Sequence, residues 1–303
     1  MRIPKSEIPR VTQSMDKLTK RLAALPLSIS RSTATQQPHT LTGDIYSHQS
    51  FHSSILRNDR ELIVYLPPGY EANQRKRYPV LYLHDGQNLF DGATSFTFGQ
   101  EWRVDEAAQS LIGAGKIEPL IIVGVYNAGK DRTNEYTPTQ DARHKVGGKA
   151  EHYGRMLVEE LKPFVDAKYR TLKYAKHTGL GGSSLGGLVT LYLGLRYPKV
   201  FGRLAVVSPS VWFDNNHIVH YVEELPRRPR LRIWLDTGTN EGGSAAEAQQ
   251  TVANARLLRE TLTKKGWKLG KDLSYVEGEG AEHNEQAWAA RVEPMLKFLF
   301  PRK

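Results

Sequence analysis

The 303-residue chain contains no cysteine. Disulfides, a thiolate nucleophile and cysteine-ligated metals are thereby excluded, while the compartment stays open because an exported protein can also lack cysteine. Nor is there an apolar run near the roughly 20 residues that span a bilayer, so a soluble chain with no membrane partner is expected. The first thirty residues are basic but carry no continuous apolar core ahead of a small-residue cleavage site. No secretory signal is visible, and a cytoplasmic location is favoured. No H-E-x-x-H pattern, or comparable His/carboxylate pair on an expected helix, is found, so neither a metal nor any other cofactor is expected.

Positive charge, by contrast, is abundant: 42 Lys and Arg against 32 Asp and Glu, a formal net charge of +10. Such a balance can attract nucleic acid or anionic surfaces. Here it is dispersed, with only Arg75-Lys76-Arg77 and Arg227-Arg228-Pro229-Arg230 clustered and neither interleaved with aromatics. Both clusters read as solvated surface, and no nucleic-acid partner is expected. With 39% hydrophobic residues, the length suits one sizeable core.

Residues 1–45 are polar and mixed, with turn formers concentrated in 28–42, and read as an N-terminal extension holding at most a helix near 15–25. The catalytic domain is expected over 46–303. There, apolar β-branched runs alternate with helical patterns, the signature of a mainly parallel sheet covered on both faces. Strands are expected at 51–56, 62–66, 80–84, 120–126, 178–182, 204–208, 232–236 and 274–277. Helices are expected at 104–114, 153–169, 185–196, 245–265 and 287–299. The first two strands follow too closely for a crossover helix and should be antiparallel. Two long polar connections, 127–149 and 210–230, are the expected walls of a site. Neither is long enough for a large lid domain.

At the end of the fifth expected strand stands Gly182-Ser183-Ser184-Leu185-Gly186-Gly187. Gly182, Ser184 and Gly186 satisfy G-x-S-x-G, the pattern of a nucleophile held on a strained strand-to-helix turn where flanking side chains would collide. Ser183 fails the test because Leu185 occupies its second small position. The plain alternative, a glycine-rich turn capping a helix, loses weight from the strand before and the apolar helix after. As nucleophile, Ser184 would place the Leu185 amide at a helix start, where unpaired donors and the positive dipole end face a developing oxyanion. A second donor should come from the loop after the third strand, His84-Asp85-Gly86-Gln87-Asn88, with the Gln87 amide favoured.

In this α/β-hydrolase arrangement the acid and then the histidine follow the serine. His217 and His220 come before the expected acid, leaving His283 in Gly278-Glu279-Gly280-Ala281-Glu282-His283-Asn284 as the general base. For the acid, Asp236 ends the seventh strand and Glu241 lies in the loop beyond it. Glu241 is favoured; Asp236 and a Ser–His dyad are the alternatives.

These residues resemble the enterochelin-esterase and esterase D-like family of α/β-hydrolases over about residues 50–300. The likeness rests on Tyr82-Leu83-His84-Asp85-Gly86-Gln87, on the serine motif, on Gly238-Thr239-Asn240-Glu241 and on Glu282-His283. It implies an eight-stranded, mainly parallel α/β-hydrolase sheet with helices on both faces. The family includes siderophore trilactone esterases, feruloyl and acetyl xylan esterases, and mycolyltransferases. By the same resemblance the Gln87 amide and Glu241 take the oxyanion and acid roles, and Trp102, Arg132 and Tyr136 become candidate ligand contacts. His84 has no role assigned by it. A serine ester hydrolase acting on a small-molecule or carbohydrate ester is expected. The competing functions are an acyltransferase with a sugar acceptor on the same residues, and a non-catalytic binding protein on the same fold.

Overall fold

The computed structural model describes residues 39–142 and 145–302. The helix expected near 15–25, and the extension as far as residue 38, lie outside the described residues. Residues 39–43 are tied to the body: His39 Nδ1 meets Asp91 Oδ2 at 2.5 Å, and the Thr42 amide donates to Asp105 Oδ2 at 2.6 Å.

Two strands open the sheet, β1 (Asp44–Ser53) and β2 (Asn58–Leu66), paired antiparallel. β1 begins seven residues before the expected position, and Leu56 falls in the turn that follows it. This edge strand is mostly exposed and polar, so its sequence carries little hydrophobic pattern. Next come β3 (Val80–His84), a single 3-10 turn over Gly86–Asn88, α1 (Val104–Gly113) and β4 (Ile121–Val125). The connection after β4 holds a short helix, α2 (Arg132–Glu135). The helix expected at 153–169 is α3 (Ala150–Arg155) and α4 (Lys162–Lys168), joined by a π-helical stretch over Met156–Leu161.

β5 (Thr178–Ser183) then runs into α5 (Leu185–Arg196), followed by β6 (Arg203–Val207). A helix absent from the sequence reading follows, α6 (Phe213–Glu224). Left-handed backbone at Asp214, Asn215 and Asn216 breaks its first turn. The chain closes with β7 (Arg232–Gly238), α7 (Ala245–Lys264), β8 (Leu273–Gly278) and α8 (Glu285–Leu299).

The eight strands form one sheet in the order β1-β2-β4-β3-β5-β6-β7-β8. Pairs β1/β2 and β2/β4 are antiparallel and every later pair is parallel. Alternate side chains feed two cores: Val64, Tyr82, Val123, Leu180 and Val206 point to one face, and Tyr65, Leu81, Ile122, Ala205 and Trp234 to the other. Both faces being buried explains why the central strands read as continuous apolar runs. The architecture is that of an α/β-hydrolase, and the carboxyl ends of β3, β5, β6, β7 and β8 share one edge. No helix among the described residues is long and apolar enough to cross a membrane.

Candidate active site

The sharp turn between β5 and α5 carries Ser184 at φ 59°, ψ −124°. A non-glycine residue there is strained, and the surroundings hold it in place. The Ser184 amide donates to Val207 O at 3.1 Å, while Ser184 O accepts from the Leu188 and Ser210 amides, each at 3.0 Å. The flanking glycines allow His84 and Asp85 to pack against the turn. A Cβ on Gly182 would stand 3.0 Å from two His84 carbons, and one on Gly186 would stand 3.3 Å from Asp85 Oδ2. The spacing of the motif is thus set by what lies at the end of β3.

Glu241 and His283 meet at the ends of β7 and β8. His283 Nδ1 donates to Glu241 Oε2 at 2.9 Å; the carboxylate only accepts, so Nε2 remains free to act as a base. Glu241 is 2% exposed, whereas the His283 side chain is 39% exposed. The other Glu241 oxygen accepts from the Ser208 hydroxyl at 2.5 Å and from the Gly238 amide at 2.6 Å. The imidazole stacks edge-on against Trp288, 5.0 Å between ring centres. Ser184 Oγ makes its hydrogen bond with Ser210 Oγ at 3.3 Å, and none with His283 among the described residues. Contacts between a nucleophile and its base often tighten only when substrate is bound.

Asp236 is placed otherwise. Fully buried, it accepts from the Ser208 amide at 3.1 Å and from Trp234 Nε1 at 2.6 Å, and lies 3.3 Å from Arg291 Nε. Burial pushes its carboxyl up, against the opposing charge of Arg291. No contact joins it to His283 among the described residues. Ser208 links the two acids, since its hydroxyl also accepts from Trp288 Nε1 at 3.1 Å and Arg291 Nη2 at 2.8 Å. Ser208, Ser210, Trp288 and Arg291 escaped the sequence reading. Their only signal was position, just past β6 or inside an ordinary amphipathic helix.

The Gln87 and Leu185 amides have no hydrogen-bond acceptor among the described residues, and both residues are partly exposed. Gln87 sits in the 3-10 turn after β3 and Leu185 opens α5. The strands that lead into them, β3 and β5, are parallel neighbours, so both amides follow the carboxyl ends of adjacent strands, as Ser184 does.

The three candidate ligand contacts are placed as follows. Trp102 is 3% exposed, its ring packed 5.8 Å from that of Trp288, so it stands behind His283. Tyr136 is fully buried, with its hydroxyl accepting from the Asp85 amide at 3.3 Å. Arg132 is committed to Asp85: Nε to Oδ1 at 2.7 Å and Nη2 to Oδ2 at 2.8 Å. Trp102 and Tyr136 are buried, whereas the Arg132 side chain stays 26% exposed with Nε and Nη2 turned to Asp85. Side chains that do face solvent near this edge are Phe96, Phe98 and Trp212. Trp212 comes two residues after Ser210.

The model of the family described as "Putative esterase" matches residues 53–299. The chain belongs to this family. It is a carboxylic ester hydrolase of the enterochelin-esterase-like group. One relative is the endo-1,4-beta-xylanase/feruloyl esterase of Xylanibacter ruminicola, 27% identical over 78% of this chain and 29% of the relative. Another is the ferri-bacillibactin esterase BesA of Bacillus subtilis, 28% identical over 61% of this chain and 66% of the relative. Among solved structures, the BES protein from Bacillus cereus superposes with a TM-score of 0.67 at 20% identity, covering 89% of this chain and 99% of that one. That likeness supports the fold.

Proposed function

We propose that the chain cleaves its ester through an acyl-enzyme on Ser184. In this reading His283 Nε2 takes the Ser184 proton as Oγ attacks the ester carbonyl, and Glu241 orients the imidazole and stabilises its charged form. The oxyanion rests on the Gln87 and Leu185 amides. Proton return from His283 expels the alcohol. Water, activated by the same nitrogen, then releases the acid and restores the serine. The single observation that carries the reading is the 2.9 Å contact of His283 Nδ1 with the buried Glu241 carboxylate, beside a serine held at φ 59°. A binding protein needs neither the strained serine nor the buried acid.

The ester is of the siderophore trilactone, feruloyl or acetyl-carbohydrate type, and the partner is a small-molecule or carbohydrate ester. Trp212, 45% exposed and two residues from Ser210, favours an aromatic ester among these. The names of the feruloyl and siderophore relatives support the same choice. A fluorophosphonate probe should label wild-type protein and leave Ser184→Ala unlabelled. Turnover of methyl ferulate and a catecholate trilactone should exceed that of an acetylated sugar. Equal labelling of both proteins would sink the assignment of Ser184.

A further inference from the structure

Asp85 carries more restraints than a loop residue needs. Its backbone is left-handed, φ 57° and ψ 48°, at the entry to the Gly86–Asn88 turn. Its carboxylate is gripped by Nε and Nη2 of Arg132, and Oδ1 also accepts from Asn127 Nδ2 at 2.7 Å. Its amide is held by the Tyr136 hydroxyl, and the Tyr136 ring supports the Arg132 guanidinium at 5.0 Å. The Asn88 amide donates to Asp85 O at 2.9 Å.

Gln87, at the centre of that turn, is fixed in the same way. Its side-chain oxygen accepts from the Asn127 amide at 3.4 Å, and its carbonyl accepts from Thr94 Oγ1 at 2.7 Å. Its backbone amide has no acceptor among the described residues. A Cβ on Gly86 would stand 2.7 Å from the Gly124 carbonyl carbon, so the turn is wedged against β4. A Cβ on Gly186 would stand 3.3 Å from Asp85 Oδ2, so the carboxylate also lies beside the first turn of α5, which Leu185 opens. One carboxylate therefore touches the mountings of both free donors. An uncompensated negative charge at that place would repel an oxyanion, and the Arg132 fork neutralises it.

We propose that Arg132 and Asp85 are a positioning pair that sets the Gln87 and Leu185 amides for the oxyanion and cancels the carboxylate charge beside it. The proposal rests on the acyl-enzyme reading above. Arg132 acts through Asp85 and touches no substrate.

The test compares wild type with Arg132→Met, Arg132→Lys, Asp85→Asn, Asn127→Ala and the Arg132→Met/Asp85→Asn double variant. For each, kcat and KM are measured on a p-nitrophenyl ester, together with the inhibition constant of a trifluoromethyl ketone bearing the same acyl group. The ketone adds Ser184 and so carries a real oxyanion. Losing one oxyanion-hole donor costs about 10²–10³ in kcat, which bounds the expected effect of Arg132→Met. Its KM should stay within about twofold, and ketone affinity should fall in proportion to kcat/KM. Arg132→Lys should recover only part of the loss, because an ammonium cannot grip both oxygens. The double variant should outperform Arg132→Met, as its bare carboxylate is gone. A rise in KM at constant kcat would return Arg132 to substrate contact and overturn the proposal, as would an unchanged ketone affinity. Should Arg132→Met unfold in a circular-dichroism melt, Asn127→Ala decides: it keeps both charges, and a kcat equal to wild type overturns the proposal. Ser184→Ala run alongside separates the two readings. Its full activity would refute the acyl-enzyme, whereas its inactivity with a fully active Arg132→Met refutes the positioning pair alone.

Discussion

Glu241 Oε2 accepts from His283 Nδ1 at 2.9 Å, while Asp236, five residues earlier, turns both its oxygens to Ser208 and Trp234. The two carboxylates close to β7 thus have separate partners, and substitutions should tell their roles apart. Glu241→Gln keeps the shape but can present an N–H to Nδ1 and stabilises the wrong tautomer. Its kcat should fall by on the order of 10³, less than for His283→Ala. Asp236→Asn should cost about 1–3 kcal/mol in urea unfolding through the lost Arg291 pairing, with kcat reduced less than tenfold. The reverse ranking of kcat values would make Asp236 the acid.

Ser208 is the joint between those acids. Its hydroxyl donates to Glu241 and accepts from Trp288 and Arg291, all of them buried. In Ser208→Ala three polar groups lose a partner, so stability should drop by about 2–3 kcal/mol. Glu241 would also lose a restraint, and kcat should fall several-fold while KM holds. Unfolding midpoints and kcat equal to wild type would show that the joint is dispensable.

The strained turn at Ser184 was readable because its geometry restricts residue type locally: only small neighbours let His84 and Asp85 approach it. The meeting of Glu241 with His283 was open to inference because chain order in this fold brings the loops after β7 and β8 together. The internal contacts of Trp102, Arg132 and Tyr136 were not legible in the sequence. Their partners lie far along the chain, 47 residues for Arg132 and Asp85 and 51 for Tyr136 and Asp85, beyond any local pattern. α6 was hidden by Asp214-Asn215-Asn216, whose polar run reads as loop and whose backbone is left-handed. β1 was misplaced because an exposed edge strand has no buried face to pattern.

The aromatic rim carries a prediction about substrate choice. Trp212 is 45% exposed and lies tilted beside Phe213, 6.0 Å between ring centres. Stacking of one aromatic pair contributes about 0.5–1.5 kcal/mol, so Trp212→Ala should raise KM for methyl ferulate about three- to tenfold. A p-nitrophenyl acetate assay on the same variant should show much less change in the acyl-dependent step. Equal KM shifts on both esters would mean that Trp212 supports the loop and not the acyl group.

His84 supplies a pH dependence of stability. It is buried beneath the serine turn, its Nδ1 bonded to the Tyr153 hydroxyl at 2.8 Å and its Nε2 without a partner among the described residues. Burial lowers its pKa to about 3, with Asp85 opposing and Arg132 and Arg60 reinforcing the fall. The unfolded chain's histidine titrates near the ordinary value of about 6.5. Above that pH both states are neutral here and the full stability is present. As pH falls from about 6.5 towards 3 the unfolded state takes up a proton that the folded state refuses, so stability drops by up to about 1.4 kcal/mol per pH unit from this group. Urea midpoints measured at pH 7.5, 6.5, 5.5 and 4.5 should decline over the last two steps in wild type. His84→Gln keeps a polar partner for Tyr153 and cannot titrate; its decline should be shallower by close to one proton. Parallel declines in the two proteins would assign the acid sensitivity to other groups and leave His84 as a packing residue.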